Sequence, residues 1–293
     1  MAKRVASSSS VRARLLRCAV AVIALAVIGC RGAQSIEGRV TRFVSLSPAI
    51  TETLFAVGAG PRLVGVSDYC HFPGAVERLP HLGSGYTPRY EAIIALRPTA
   101  VFVEQVNAET TRDLAQVLKV EALPWLTLEQ VVQSTRRLGA MTDQTSAAER
   151  LALQYEQSIR PRVSPSSPRV LLVLAHPPGQ LREVWFIRRN SIHGRILEAA
   201  GAVNAAKDEV NGPPHLSLEQ VLRLDPEGIV ILQAAEQGDP RLVEDWMQLG
   251  PLTAVRRRRI ELIAAPALTI PGPRIIELAQ RLSPLIQAWR KGS

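Results

Sequence analysis

Three kinds of residue in this chain could do chemistry: scattered histidines with one cysteine beside them, aromatic side chains in loops, and two glutamates that open matching stretches. Cys70-His71 is an adjacent pair, and the five histidines stand at 71, 81, 176, 193 and 215. Neither the pair nor the scatter has the spacing of a zinc site. Gly83-Ser84-Gly85 is not a nucleophile elbow, which needs Gly-x-Ser-x-Gly on a strand-to-helix turn. The sequence has no phosphate loop ending Gly-Lys-Ser/Thr and no dinucleotide fingerprint. It therefore offers no catalytic residue and no resident cofactor.

The glutamates are more informative. Glu91 opens Glu-Ala-Ile-Ile-Ala-Leu-Arg-Pro at 91–98, and Glu219 opens Glu-Gln-Val-Leu-Arg-Leu-Asp-Pro at 219–226. In both copies aliphatics follow at two, three and five residues, proline at seven, and then an apolar run at 101–103 or 229–231. Each reads as a short helix, a proline break and a buried strand. The repeat predicts two similar lobes. A carboxylate in the first turn of a helix is favoured by the helix dipole, which accounts for either glutamate alone but not for the same residue in both copies.

The surrounding pattern supplies the scaffold. Strands are expected at 40–46, 63–66, 101–103, 123–126, 169–175, 184–187, 229–231 and 260–264, and helices at 49–57, 110–118, 128–141, 145–160, 191–200, 246–252 and 274–290. Ser47 as cap, Pro48 at the first helical position and Gly58 just past the end bracket the first helix. Strands alternating with helices predict an α/β fold whose mainly parallel sheets are covered on both faces. Residues 145–160 contain no Gly or Pro, whereas 161–168 hold three prolines and three serines. The division is thus a first lobe at 40–143, an interlobe helix and linker at 144–167, and a second lobe at 168–293.

The net charge of +9 does not point to nucleic acid. Five of the positive charges, Lys3, Arg4, Arg12, Arg14 and Arg17, lie in residues 1–29, which contain no acid and include the apolar run 18–28. A basic start and a short apolar core read as an export signal. Its end, Val27-Ile28-Gly29-Cys30, resembles a bacterial lipoprotein signal, with Cys30 as the acylated first residue and 30–39 as a tether. Several acyl chains give stable anchoring where one is marginal. Gly32, in place of Asp two residues on, resembles outer-membrane sorting. Arg256-Arg257-Arg258-Arg259 is read as a solvated turn, and aromatics are only 4%, so nucleic acid is not expected as a partner. With Cys18 in the signal and Cys30 acylated, Cys70 alone remains and no internal disulfide can form. A monomer is expected.

Several motifs carry a family resemblance. They are Ser45-Leu46-Ser47-Pro48 followed by Thr51-Glu52, Val64-Gly65-Val66-Ser67-Asp68-Tyr69 before Pro73, the unit at 91–98, Ser217-Leu218-Glu219-Gln220-Val221-Leu222, and Pro273-Arg274-Ile275-Ile276. From about Arg42 onward the chain resembles the periplasmic substrate-binding proteins of ABC importers for cobalamin, haem and ferric siderophores, and among these the cobalamin binders. The resemblance implies two lobes joined by one long rigid helix, a small closure, and a ligand held between the lobes where strand ends and helix N-termini converge. It also implies a permease with its ATPase as partner, and Glu91 and Glu219, one per lobe, docking onto permease arginines.

A flat macrocycle with polar arms, cobalamin or a related corrinoid, would be held by aromatic and proline faces with a few hydrogen-bonding groups. The candidates in the first lobe are Ser47, Pro48, Tyr69, Cys70, His71, Phe72, Gly85, Tyr86 and Glu104, with Gln105 beside it. In the second lobe they are His176, Trp185, His215 and Pro271. His71, His176 or His215 could ligate a bound cobalt or iron. Haem or a ferric siderophore is the alternative ligand, and an exported hydrolase on the same scaffold is the alternative class.

Overall fold

The computed structural model describes residues 41–105, 108–206 and 214–291. The expected signal, Cys30, the tether and residues 211–213 lie outside the described residues. Arg42–Ser293 forms one compact unit.

The first lobe runs β1 (Phe43–Ser45), α1 (Pro48–Ala56), β2 (Leu63–Val66), α2 (Tyr90–Ala95), β3 (Ala100–Glu104), α3 (Ala108–Ala115) and β4 (Val120–Leu123). Its strands pair in the order β2-β1-β3-β4, all parallel. The chain then passes once toward the second sheet through α4 (Leu128–Met141) and α5 (Thr145–Ser158). At 1.5 Å per residue α5 is about 21 Å long, and it packs along α4.

The second lobe runs β5 (Arg169–Leu174), β6 (Glu183–Trp185), α6 (Ile192–Ala199), β7 (Val203–Asn204), β8 (His215–Ser217) and α7 (Leu218–Leu224). It continues with β9 (Gly228–Gln233), α8 (Arg241–Met247), α9 (Thr253–Arg256), β10 (Ile260–Ala264) and α10 (Ile276–Lys291). The parallel order here is β10-β9-β5-β7. In each sheet the strand order reverses beside a central strand, at β1/β3 in one and β5/β9 in the other. Loops at the carboxyl ends diverge at such points and leave a crevice.

The duplicated stretch behaves alike in both lobes. Ile93 and Val221 are fully buried, while Ile94 and Leu222 are 45% and 39% exposed. Arg97 and Asp225, each just before a proline, have φ of 48° and 40°. Proline disfavours the helical conformation at the residue before it, so each helix ends through a left-handed residue.

One apolar cluster runs without a break from Phe43, Ile50 and Phe102, through Leu138, Leu151 and Tyr155, to Leu172, Leu282 and Trp289. It is shared by the two sheets and the helices between them.

Four expectations are corrected. The strand expected at 123–126 is β4, Val120–Leu123, so 124–126 is a loop. The strand expected at 184–187 does not join the parallel sheet. It is β6, antiparallel to β8, so His215 lies in a strand and not in a loop. The helix expected at 246–252 is instead α8, which ends at Met247, and α9, which starts at Thr253, with a turn between them. Finally, the arginine run is not wholly solvated: Arg259 is 5% exposed, and its Nη2 donates to Trp289 O at 2.5 Å.

Candidate ligand cleft

The crevice holds two cavities that share Glu104. The smaller, 220 Å³, is lined in the first lobe by Ser47, Pro48, Tyr69, Gly85 and Tyr86. The larger, 580 Å³, lies between the lobes. Its first-lobe wall is Glu104, Gln105, Pro124, Trp125 and Leu126, and its second-lobe wall includes Leu174, Phe186, Arg188, Ser191, His193 and Pro271.

The shared wall is built from helix-cap chemistry. Ser47 is the N-cap of α1, and its hydroxyl accepts from Ile50 N at 3.2 Å. The same hydroxyl donates to Glu104 Oε1 at 2.5 Å. Burial pushes the Glu104 carboxyl above its ordinary pKa of 4.5, and the Ser47 hydrogen bond opposes this only in part.

The loop carrying Gly85 and Tyr86 is tied down from Asp68. Its Oδ1 accepts from Gly83 N at 3.0 Å and its Oδ2 accepts from Arg89 Nη2 at 2.9 Å, while Arg89 Nη1 donates to His81 O at 2.9 Å. Gly83 has φ +83°, and a Cβ there would lie 2.3 Å from Thr87 O, so glycine is required for this turn. The loop thereby holds Tyr86, 62% exposed, at the same cavity as Tyr69, 66% exposed. Large aromatic faces left open at a cavity are available to a ligand.

The second-lobe wall repeats the cap arrangement. Ser191 is the N-cap of α6, and its Oγ accepts from Gly194 N at 3.1 Å. His193 is buried, and its ring Nε2 lies 3.0 Å from Leu268 O. Desolvation pulls its pKa down to about 4, so it is neutral at physiological pH. Arg188 adds a guanidinium to this wall.

The remaining sequence candidates fall elsewhere. Cys70 is 1% exposed, with Sγ 3.2 Å from Thr51 Oγ1, and burial raises its pKa. It belongs to the core, which corrects its placement at the ligand. His71 is exposed beside Glu77, with Nδ1 3.4 Å from Oε1, and lines neither cavity. The His176 side chain is 7% exposed, its Nε2 lies 3.0 Å from Asp245 Oδ2, and it lines neither cavity. Phe72 lies over Arg274, whose Cζ is 3.9 Å from the ring centroid. Trp185, 47% exposed, faces His215 across the β6–β8 ribbon at 5.8 Å between centroids. Pro271 lines the larger cavity, and its carbonyl accepts from Trp125 Nε1 at 2.9 Å. Among the described residues no three His, Cys, Asp or Glu side chains gather to hold a metal ion. Glu91 and Glu219 are exposed on α2 and α7, away from both cavities.

Sequence reasoning missed Trp125, Arg188, Ser191 and His193. Placing β4 three residues late hid Pro124-Trp125-Leu126 inside a strand. Ser191 carried the same signal as Ser47, a serine just before a helix, and could have been found that way.

Comparison with known proteins agrees with this architecture. Residues 43–265 match the family described as periplasmic binding protein. A vitamin B12-binding protein of Pectobacterium carotovorum is 26% identical over 281 residues, covering 90% of this chain and 94% of that protein. One from Salmonella typhimurium is 29% identical over 216 residues, covering 70% and 76%. Among solved structures, a periplasmic haem-binding protein of Pseudomonas aeruginosa superposes with a TM-score of 0.69 at 27% identity, covering 84% of this chain and 92% of that one. The vitamin B12-binding protein of Vibrio cholerae, at 21% identity, shares the fold with a TM-score of 0.69, covering 85% and 98%. A match over most of the length, with two parallel sheets facing each other across a crevice, makes this chain a member of the periplasmic binding protein family.

Proposed function

We propose that this protein is the substrate-binding component of an ABC importer and that it captures cobalamin or a related corrinoid between its lobes. The observation carrying this reading is the pair of adjoining cavities that share Glu104, one at the β1/β3 reversal and one between the lobes. Tyr69 and Tyr86 supply exposed aromatic faces there, Trp125 lines the larger cavity, and the Glu104 carboxyl supplies a hydrogen-bonding group for amide arms. The vitamin B12-binding relatives support the choice of ligand.

Haem is the second reading. It is favoured by Arg188 in the cavity wall, where a cation suits carboxylate arms, and by the haem-binding structural neighbour.

Glu91 and Glu219 are the proposed contacts to the permease. They are exposed, sit at matching positions in the two lobes, and carry charges that would set orientation and steer encounter more than they add affinity. Cys30 is the proposed lipid attachment, which would place the protein on the periplasmic side of a membrane. The protein would act as a monomer. An ABC transporter substrate-binding lipoprotein of Bacillus subtilis, 22% identical over 254 residues, supports the permease–ATPase partnership. Purification from cells supplied with cyanocobalamin and haemin tests the ligand. A corrinoid absorption spectrum on the isolated protein is expected, and a protein carrying haem alone would replace the first reading by the second.

A further inference from the structure

After β10 residues 266–269 stay against β9 and His193 of the second lobe, and residues 271–275 then reach the first lobe. This segment carries Thr269 and Pro271, which line the larger cavity. First-lobe groups hold it at two points. Trp125 Nε1 donates to Pro271 O at 2.9 Å. Arg274 donates through Nη2 and Nε to the two Glu52 carboxylate oxygens at 2.5 and 3.0 Å. The Glu52 side chain is 4% exposed and that of Arg274 24%. The Phe72 ring covers the guanidinium at 3.9 Å. Gly272 lets the segment approach, since a Cβ there would lie 2.9 Å from Glu52 Oε2.

A two-pronged pair with an aromatic ring over the guanidinium tolerates little change of geometry. Its position gives it leverage on both cavity walls. Glu52 lies on α1, whose cap Ser47 holds Glu104, and Arg274 follows the segment that forms the opposing wall.

We infer that Glu52, Arg274 and Phe72, together with Trp125 on Pro271, form an interlobe clasp that sets the width of the cleft, with Arg274 as a positioning residue for ligand capture. Buried ion pairs are weak stabilisers but can specify one arrangement among several, so the test must read geometry as well as stability.

The binding arm of the test rests on the proposed ligand, and the distance arm does not. Residues 42–293, a compact unit in themselves, would carry nitroxide labels at Val117→Cys and Met247→Cys, one in each lobe, 61% and 40% exposed. Cys70 is buried and stays unlabelled. The parent should give one narrow interlobe distance without ligand. Arg274→Lys keeps the charge but loses the fork and the stack. Gly272→Ala keeps every clasp residue but pushes on the Glu52 carboxylate. Both should broaden or shift the distance and weaken cyanocobalamin binding about tenfold, because a pre-set cleft width lowers the cost of binding. Circular dichroism should show both variants folded. A distribution as narrow as the parent's and at the same distance, in both folded variants, would overturn the clasp. If the parent itself fails to bind cyanocobalamin, the ligand reading falls and the distance measurement still decides the clasp.

Discussion

Replacing Glu104 by glutamine should stabilise the protein and flatten part of its pH dependence. The carboxyl stands half-buried at the end of β3, between the two cavities, and accepts from Ser47 Oγ at 2.5 Å. Burial raises its pKa above 4.5 in the folded state. The folded protein therefore holds this proton to higher pH than the unfolded chain does, and unfolding releases it. Stability from this group is complete below pH 4.5 and is lost as pH rises through the folded pKa. Glutamine keeps an acceptor for Ser47 and carries no charge. At pH 7 it removes the cost of a carboxylate held away from water, less the charge-assisted part of the Ser47 bond, for a net gain of roughly 1–2 kcal/mol. In a chain of this size the melting temperature should rise by roughly 2–8 °C. Thermal and urea unfolding of both proteins between pH 4 and pH 7 would read this. The curves should converge near the acid end and separate toward neutrality. A difference constant across the range, or a less stable glutamine variant at pH 7, would refute the reasoning. A protein that keeps a destabilising acid in its cleft is expected to use it, so Glu104→Leu should weaken cyanocobalamin binding about tenfold, the loss of one hydrogen bond to a half-buried acid.

Other expectations follow from particular groups. His193, with its pKa pulled down to about 4 from 6.5, is neutral in the folded protein while the unfolded chain takes up a proton below 6.5. Stability should thus fall as pH drops from 6.5 through about 4, by about 3 kcal/mol at the acid limit, and His193→Gln should remove that acid-side loss in urea titrations. Gly83→Ala places a Cβ against Thr87 O in a left-handed turn, which costs about 1–2 kcal/mol for the backbone alone. It should displace Tyr86 and lower ligand affinity in an equilibrium titration; unchanged affinity would mean that the Tyr86 loop is not part of the site. Glu91→Ala with Glu219→Ala should abolish uptake by cells while leaving ligand affinity in solution unchanged. A fall in affinity would count against their role at the permease.

Much of the fold was legible because its signals are local. The duplicated units announced both lobes through Ile93 and Val221, the fully buried positions, and through the prolines that end the helices. Ser47 before Pro48 marked a helix start that also proved to be a cavity wall. What escaped the sequence depended on register and on contacts distant along the chain. The stretch 120–126 has apolar residues on both sides of Pro124, and reading the strand through that proline hid Trp125. Antiparallel pairing of β6 with β8 joins segments about thirty residues apart and leaves no periodicity of its own. Phe72 read as a ligand face because its partner Arg274 lies two hundred residues on. Cys70 sits in a polar loop, and only the fold turns its side chain inward against Thr51.

The central claim, that the interlobe cleft takes a metal-bearing macrocycle with cobalamin first, is tested most directly by calorimetric titration of the purified protein with cyanocobalamin, haemin and a ferric siderophore. The account predicts saturable one-to-one binding of cyanocobalamin, tighter than the other two and weakened when Tyr86 or Trp125 is replaced by alanine. Binding of none of the three, or binding of cyanocobalamin indifferent to both substitutions, would contradict it.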